Sequence, residues 1–218
     1  MKKEATKYFA AAVLFLISFI IWTVLVSYVD VKPIGPLDSS VGFADLNNCF
    51  HNLTGVHMDL YFITDLLSII PVCFIIGFGL LGLIQWIKRK NVLKVDFDIL
   101  LLGAFYITVM TLYLLFEILV INFRPVLING ILEASYPSST TLLVLCVMPT
   151  AMIQFHNRIK NAKFKKSAEI FITAFIAFMV IARLVSGVHW LSDIIGGVFL
   201  SAGLVSMYYF LYKIKKDL

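Results

Sequence analysis

Four ionisable side chains in the second half of the chain have the types and the spacing for phosphate chemistry. Arg183 is followed six residues later by His189 and ten residues later by Asp193, and Arg124 precedes Pro125. On a helical path, positions 189 and 193 share a face, so Asp193 can accept a proton from one imidazole nitrogen of His189. That contact fixes the tautomer and leaves the other nitrogen free to attack. Two arginines beside such a histidine predict a site for phosphoryl transfer.

A run of hydroxyl residues, Ser135-Tyr136-Pro137-Ser138-Ser139-Thr140-Thr141, lies between these arginines in the sequence. A proline followed by hydroxyl residues is a good helix start, and the free N–H groups at a helix N-terminus favour an anion. Each feature taken alone also fits an ordinary structural role. An arginine near a span end usually snorkels to the interface, and a serine run is a common cap. Only the combination, in this order, indicates phosphate chemistry.

The elements that must position these residues are membrane-spanning helices. The chain is 61% hydrophobic and only 14% charged, with a mean hydropathy of +0.94, which excludes an ordinary soluble domain and a nucleic-acid-binding protein. A span needs roughly 20 mostly apolar residues. The sequence predicts an all-α bundle with six spans: Phe9–Val29, Leu66–Ile87, Ile99–Phe123, Thr140–Phe155, Ile170–Val188 and Ile194–Tyr212.

The distribution of basic residues predicts the orientation of this bundle. Six spans put all but three of the 18 lysines and arginines on one side, which the positive-inside rule assigns to the cytoplasm together with both termini. The three exceptions, Lys32, Arg124 and Arg183, fall on the outer side. The long outer connection Asp30–Asp65 carries apolar residues at helical spacing, which fit a short interfacial helix and an ordinary capping loop about equally well. These residues are Phe43, Leu46, Phe50, Leu53 and Leu60.

This pattern resembles the type 2 phosphatidic acid phosphatases, which are integral membrane lipid phosphatases. Their motifs are a Lys seven residues before Arg-Pro, then Pro-Ser-Gly-His, then Ser-Arg followed by five residues, His, three residues and Asp. The matching residues here are Arg124-Pro125, Pro137-Ser138, Arg183, His189 and Asp193.

The resemblance implies one integral membrane domain over residues 1–218, with its motifs in residues 117–197 and its site facing the extracytoplasmic side. It implies that His189 is the nucleophile, forming a phosphohistidine, and that Asp193 orients it. The phosphate oxygens would be held by Arg124, Arg183, Ser138 and Ser139.

The chain departs from the family pattern at four positions. Glu117 replaces the Lys, Thr140 replaces the His that protonates the leaving group, Ser139 replaces Gly, and Ala182 replaces Ser. Losing a general acid costs roughly 10²–10⁴ in rate when an alkoxide must leave. A phosphate leaving group is far less basic, so a diphosphate lipid such as a polyprenyl diphosphate is the favoured substrate.

Glu117 has two possible roles. Glu117 lies seven residues, about 10 Å along the helix, below Arg124 on the same face and can pair with Arg124 or Arg183. Protonated, it could instead replace the missing acid. The sequence favours the ion pair, because an arginine lies within reach.

Three hypotheses follow from these observations. The first is a membrane phosphatase or phosphotransferase acting on a lipid phosphate or diphosphate. The second is a catalytically weak relative that binds lipid phosphate. The third, the least favoured, is a transporter with intramembrane charges. No metal or cofactor is indicated, the expected partners are lipids and not nucleic acid, and the compact chain favours a bacterial cell membrane.

Overall fold

The computed structural model describes residues 2–216, although the side chains of Lys2 and Lys3, which the sequence assigns to the cytoplasm, lie outside the described part. This range forms eight α-helices with no β-strand between them, as the all-α prediction requires. The helices are α1 (Lys2–Tyr28), α2 (Ala44–Thr54), α3 (Met58–Leu67), α4 (Ile69–Arg89), α5 (Phe97–Ile118), α6 (Ser139–Arg158), α7 (Ala162–Val185) and α8 (Leu191–Lys216). Six segments are long and apolar enough to cross a membrane: α1, α3 with α4, α5, α6, α7 and α8.

The third span is shorter than the sequence predicts. Helix α5 ends at Ile118, not at Phe123, so Arg124 lies in an irregular segment rather than at a helix end. Asn122 and Arg124 instead pair with the returning chain, where Arg124 N donates to Glu133 O at 3.0 Å and Ser135 N donates to Asn122 O at 2.9 Å. A residue before proline avoids the helical region, which favours this extended pairing. The fifth span likewise ends at Val185 and not at Val188.

The predicted helix in the long outer connection is present as α2. It contains Leu46, Phe50 and Leu53, while Phe43 precedes it in a left-handed conformation and Leu60 lies in α3. Whether α2 lies in a membrane interface remains a prediction. The second span also begins earlier than expected, because α3 continues into α4 across a break at Ser68.

Helix α6 lies at the centre of the bundle and is the most deeply buried span. It packs against α4, α5, α7 and α8, so its polar side chains find protein partners rather than lipid. Gln154 Nε2 donates to Tyr208 Oη at 3.2 Å, and Thr150 Oγ1 lies 3.2 Å from Tyr106 Oη. This packing fixes the start of α6 in space.

Helix α1 packs along α8, so the chain begins and finishes at the same end of the bundle. Tyr8 stacks on Tyr209 with ring centroids 5.4 Å apart, and Lys213 Nζ lies 3.5 Å from Glu4 Oε2. We call this the termini end. The opposite end, which carries Arg124, Arg183 and the start of α6, is the site end.

Candidate active site

The turn between α7 and α8 carries His189. Gly187 has φ +69°, and a Cβ there would collide with the backbone of Gly55, so no other residue fits this turn without strain. The turn is also tied to the outer connection, because His57 N donates to Ser186 O at 2.9 Å. The helical path assumed for positions 189–193 is therefore wrong, since α8 begins only at Leu191. The turn nevertheless brings the two side chains close together.

His189 is buried, with 3% of its surface exposed. Its Nε2 lies 3.3 Å from Arg124 Nη1 and its Nδ1 lies 3.0 Å from Ser135 Oγ. Burial, together with the positive charges of Arg124 and Arg183, holds the pKa of His189 well below its usual value. The imidazole is therefore neutral at pH 7, with a lone pair available for attack.

Asp193 is completely buried and is surrounded by donors. Its Oδ2 accepts from Ser135 Oγ at 2.5 Å and from Trp190 N at 2.9 Å, and its Oδ1 accepts from Asn122 Nδ2 at 3.3 Å. The separation of His189 Nδ1 and Asp193 Oδ2 is 3.8 Å, which is too long for a hydrogen bond. The direct contact expected from the sequence is thus replaced by one that passes through Ser135.

The two arginines of the motif both lie close to the aromatic ring of Tyr61. The guanidinium carbon of Arg183 lies 4.8 Å from the Tyr61 ring centroid, and that of Arg124 lies 5.9 Å from it. Arg183 is 1% exposed, its Nη1 donates to Thr64 Oγ1 at 3.2 Å, and its Nε has no hydrogen-bond partner among the described residues. Such a buried, partly unsatisfied cation is costly without an anion beside it.

Arg124 has a carboxylate neighbour that the sequence did not indicate. Its Nε lies 3.0 Å from Glu133 Oε2. Glu117, the partner favoured from the sequence, forms no ion pair within the described residues. The early end of α5 removes the helical alignment on which that prediction rested. The expected pairing of Glu117 with Arg124 or Arg183 is therefore wrong.

Both arginines line a cavity of ≈ 450 Å³ at the site end. Its walls are formed by Tyr61, Asp65, Ser68, Val72, Met110, Tyr113, Glu117, Arg124, Glu133, Ser139, Thr140, Leu143 and Arg183. His189 is not part of the wall, because Arg124 lies against its Nε2. The cavity thus brings together most of the residues selected from the sequence, with the histidine directly behind one arginine.

The start of α6 faces this cavity with Ser139 and Thr140. No side chain of the described residues caps the helix, so the N–H groups of its first turn remain available to an anion. Ser138 is different from its neighbours. It is fully buried, its N–H donates to Asp193 O at 3.1 Å, and its Oγ accepts from Thr141 Oγ1 at 3.0 Å. Ser138 therefore does not line the cavity, whereas Ser139 does.

Several residues of the site were missed by the sequence reasoning. Ser135 belongs to the hydroxyl run but lies outside the family motif, and Glu133 and Asn122 belong to no motif. Tyr61 and Asp65 are distant in sequence and reach the cavity only because α3 packs on α7. Only for Ser135 did the sequence contain a signal, since it lies two residues before Pro137.

A known protein family matches the part of the chain that carries the site residues. The family model of the PAP2 superfamily matches residues 105–216, just over half of the chain. The chain belongs to the PAP2 superfamily. The matched region contains every site residue selected from the sequence, and with six apolar helices this PAP2 member is a multi-pass membrane protein.

One solved structure similar to this PAP2 protein is the first transmembrane PAP2-type phosphatidylglycerolphosphate phosphatase from Bacillus subtilis. The two folds match with a TM-score of 0.63 and 18% sequence identity, over 94% of this chain and 96% of that chain. The similarity therefore extends through α1–α4, beyond the region that the family model covers. No curated protein sequence matches the chain.

Proposed function

We propose that this protein is a membrane-integral lipid phosphatase that works through a phosphohistidine at His189. Membership of the PAP2 superfamily and the six apolar helices support a membrane lipid phosphatase. The observation that carries the mechanism is the position of the buried His189, whose Nε2 lies 3.3 Å from Arg124 Nη1 and whose ring feels the positive charges of both Arg124 and Arg183. A nucleophile next to two fixed cations is suited to attack on a phosphate.

The reaction proceeds in two displacements. In the first, His189 Nε2 forms a bond to phosphorus while the bond from phosphorus to the leaving oxygen breaks. Arg124, Arg183 and the N–H groups at the start of α6 hold the other phosphate oxygens. In the second, a water oxygen bonds to phosphorus, the N–P bond breaks, and the water proton leaves with phosphate or solvent. For the first step Arg124 must move off Nε2 while keeping its hold on the phosphate.

A diphosphate lipid is the substrate that best suits this cavity. Thr140 lines the cavity wall and occupies the motif position at which the family has the histidine that protonates the leaving group. A hydroxyl is a poor proton donor to an alkoxide. A lipid monophosphate has a much weaker leaving group and needs that donor. The similar Bacillus subtilis protein is named for phosphatidylglycerolphosphate, a lipid phosphate monoester, so the preference for diphosphate would set this chain apart.

An apolar groove next to the cavity supports the proposal that the substrate has a lipid tail. The groove has a volume of ≈ 790 Å³, lies between α4 and α5, and shares Met110 with the polar cavity. Along α5 it extends from Ile99 to Leu114, which is roughly 22 Å of helix. A methyl group added at Gly79 or Gly103 would meet no atom within 4 Å, so the groove is open there. A chain bound in the groove would place its headgroup in the cavity.

The lysines and arginines at the termini end support a cytoplasmic location for that end, and with it an extracytoplasmic location for the site end. Labelling of single cysteines with a membrane-impermeant reagent in intact cells would test it, since Cys49 in α2 is exposed in the described structure.

The function is tested by phosphate release from the purified protein in detergent. A lipid monophosphate and a polyprenyl diphosphate are offered in parallel to the wild type, to His189→Ala and to His156→Ala, an exposed histidine at the termini end. We expect release from the diphosphate that disappears only in His189→Ala. Equal rates on both lipids would overturn the diphosphate preference. Tight binding of both lipids without release would instead identify a weak relative that only binds lipid phosphate.

A further inference from the structure

The hydroxyl of Ser135 lies between two side chains that the sequence motif pairs directly. Its Oγ is 3.0 Å from His189 Nδ1 and 2.5 Å from Asp193 Oδ2, whereas those two atoms are 3.8 Å apart. All three residues are buried. We propose that Ser135 is the positioning residue through which Asp193 orients the nucleophile, an inference that rests on the proposed function.

The direction of these hydrogen bonds follows from the contacts of His189 with Arg124 and of Asp193 with Trp190. Arg124 can only donate, so the His189 Nε2 that faces it must be the acceptor nitrogen of a neutral imidazole. The ring proton is then on Nδ1, which donates to Ser135 Oγ. At the other end, Asp193 Oδ2 already accepts from Trp190 N, and it also accepts the hydroxyl proton of Ser135. A single tautomer satisfies every contact.

The position of the hydroxyl is set by the segment that also carries the phosphate-binding arginine. Ser135 N donates to Asn122 O at 2.9 Å, and Arg124 N donates to Glu133 O at 3.0 Å, so the two stretches of chain pair with each other. Ser135 therefore joins the segment that holds the phosphate to the turn that holds the histidine. A shift of this segment would move Arg124 and disturb the ring orientation together.

The hydroxyl has a defined effect during the reaction. When His189 Nε2 bonds to phosphorus, the ring gains positive charge and Nδ1–H becomes a stronger donor to Ser135. The Ser135 O–H is polarised in turn toward the Asp193 carboxylate, which stabilises the charge without receiving a proton. Without the hydroxyl, the 3.8 Å gap separates Nδ1–H from the carboxylate, and only the Ser135 backbone remains as its partner among the described residues. The link to Asp193 is then lost, and the ring is held less firmly against the other tautomer, which blocks Nε2 with a proton.

The test compares Ser135→Ala with Ser135→Thr, which keeps the hydroxyl, and with Ser201→Ala as a matched control. Ser201 is buried in α8, about two helical turns beyond Asp193, and donates to Gly197 O. We expect Ser135→Ala to lower kcat about 10²-fold with KM within threefold, because the phosphate contacts lie on the other side of the ring. Ser135→Thr should recover at least a tenth of the wild-type kcat, and Ser201→Ala should keep it.

A measurement without turnover reads the tautomer itself. In protein labelled with ¹⁵N-histidine, the signals of His189 are assigned as those lost in His189→Ala. We expect a protonated Nδ1 and an unprotonated Nε2 in the wild type at neutral pH, and a mixture or the reverse in Ser135→Ala. Unchanged tautomer and kcat in Ser135→Ala, with His189→Ala inactive, would overturn this inference alone. Undiminished phosphate release by His189→Ala would overturn the proposed histidine mechanism, and with it the role of Ser135.

Discussion

Arg183 at the site end is held in a different way from the arginines at the termini end. At the termini end, Arg158 lies 2.6 Å from Asp98 and Arg89 lies 2.8 Å from Asp96, and these side chains remain partly exposed. At the site end, Arg183 is 1% exposed and belongs to no ion pair within the described residues. In the first arrangement a carboxylate of the protein neutralises the arginine, whereas in the second the positive charge remains available to a bound anion.

This difference separates charges that stabilise the fold from charges that are kept for a ligand. Most basic residues lie at the termini end, where topology and anionic headgroups explain them. A buried guanidinium with an unpaired Nε lowers the stability of the fold unless an anion arrives. The number of basic residues at one end of the bundle therefore does not indicate where the site lies, whereas the burial of a basic side chain does.

The largest expected effect comes from replacing the buried arginine. Arg183→Met should reduce kcat/KM about 10³-fold, because it removes a cation fixed beside the reacting phosphate. Its thermal midpoint in detergent should not fall, since an apolar side chain of similar volume replaces a poorly compensated buried charge. Phosphate release and thermal unfolding are measured on the same preparation.

The matched control is Arg158→Met at the termini end. Losing its pair with Asp98 should lower stability by about 0.5–1 kcal/mol and leave kcat/KM within twofold. The comparison between the two ends fails if Arg183→Met unfolds more easily and keeps its turnover, because Arg183 would then be a structural residue.

The second prediction concerns the pH dependence at the site end. Because the pKa of His189 is held well below its usual value, kcat/KM should stay high as the pH falls through about 6.5 and decline only at lower pH. Arg124→Gln removes one of the charges that lower this pKa, so its acid limb should move to higher pH while kcat/KM falls about 10²-fold. Both proteins are measured on the same diphosphate lipid, so that ionisation of the substrate cancels in the comparison. An acid limb that does not move would mean that burial and Arg183, without Arg124, set the pKa of His189.

Much of this architecture could be predicted from the sequence. Long apolar runs predict the six spans, because a helix that crosses lipid must be apolar over its length. The spacing of Arg183, His189 and Asp193 also predicts that these residues lie close together, and this holds although the turn between them is not helical. The ends of the helices could not be predicted as well. Apolar residues continue past Ile118, but the pairing of Asn122 and Arg124 with the returning segment ends α5.

The contacts that this early helix end creates were beyond sequence reasoning. A continuous helix would align Glu117 with Arg124, and the irregular segment instead brings Glu133 to that arginine. Ser135 enters the histidine–aspartate contact for the same reason, through pairing between two stretches of chain that have no regular period. Tyr61 and Thr64 reach Arg183 only through packing of α3 on α7.

The third prediction tests the role left to Glu117. It lines the cavity with Thr140 and has no ion pair in the described structure, so no direct salt bridge holds it in the ionised form and its protonated form would be free to donate. Glu117→Gln should lower kcat about tenfold for a lipid monophosphate, whose alkoxide needs a proton, and leave the diphosphate within threefold. Asp65→Asn makes the same change of charge in the same cavity and serves as the control. Equal losses on both lipids, or none, would remove the acid role.

The smallest expected effect comes from the carboxylate that lies against Arg124. Glu133 competes with phosphate for the Arg124 guanidinium, since its Oε2 lies 3.0 Å from Nε. Glu133→Gln should therefore lower KM about threefold and leave kcat within twofold, because the exposed carboxylate is partly screened. Glu169→Gln, which removes a carboxylate at the termini end, should change neither constant. A rise in KM would mean that Glu133 orients Arg124 for the substrate, and the arginines at the two ends would then both depend on a carboxylate partner.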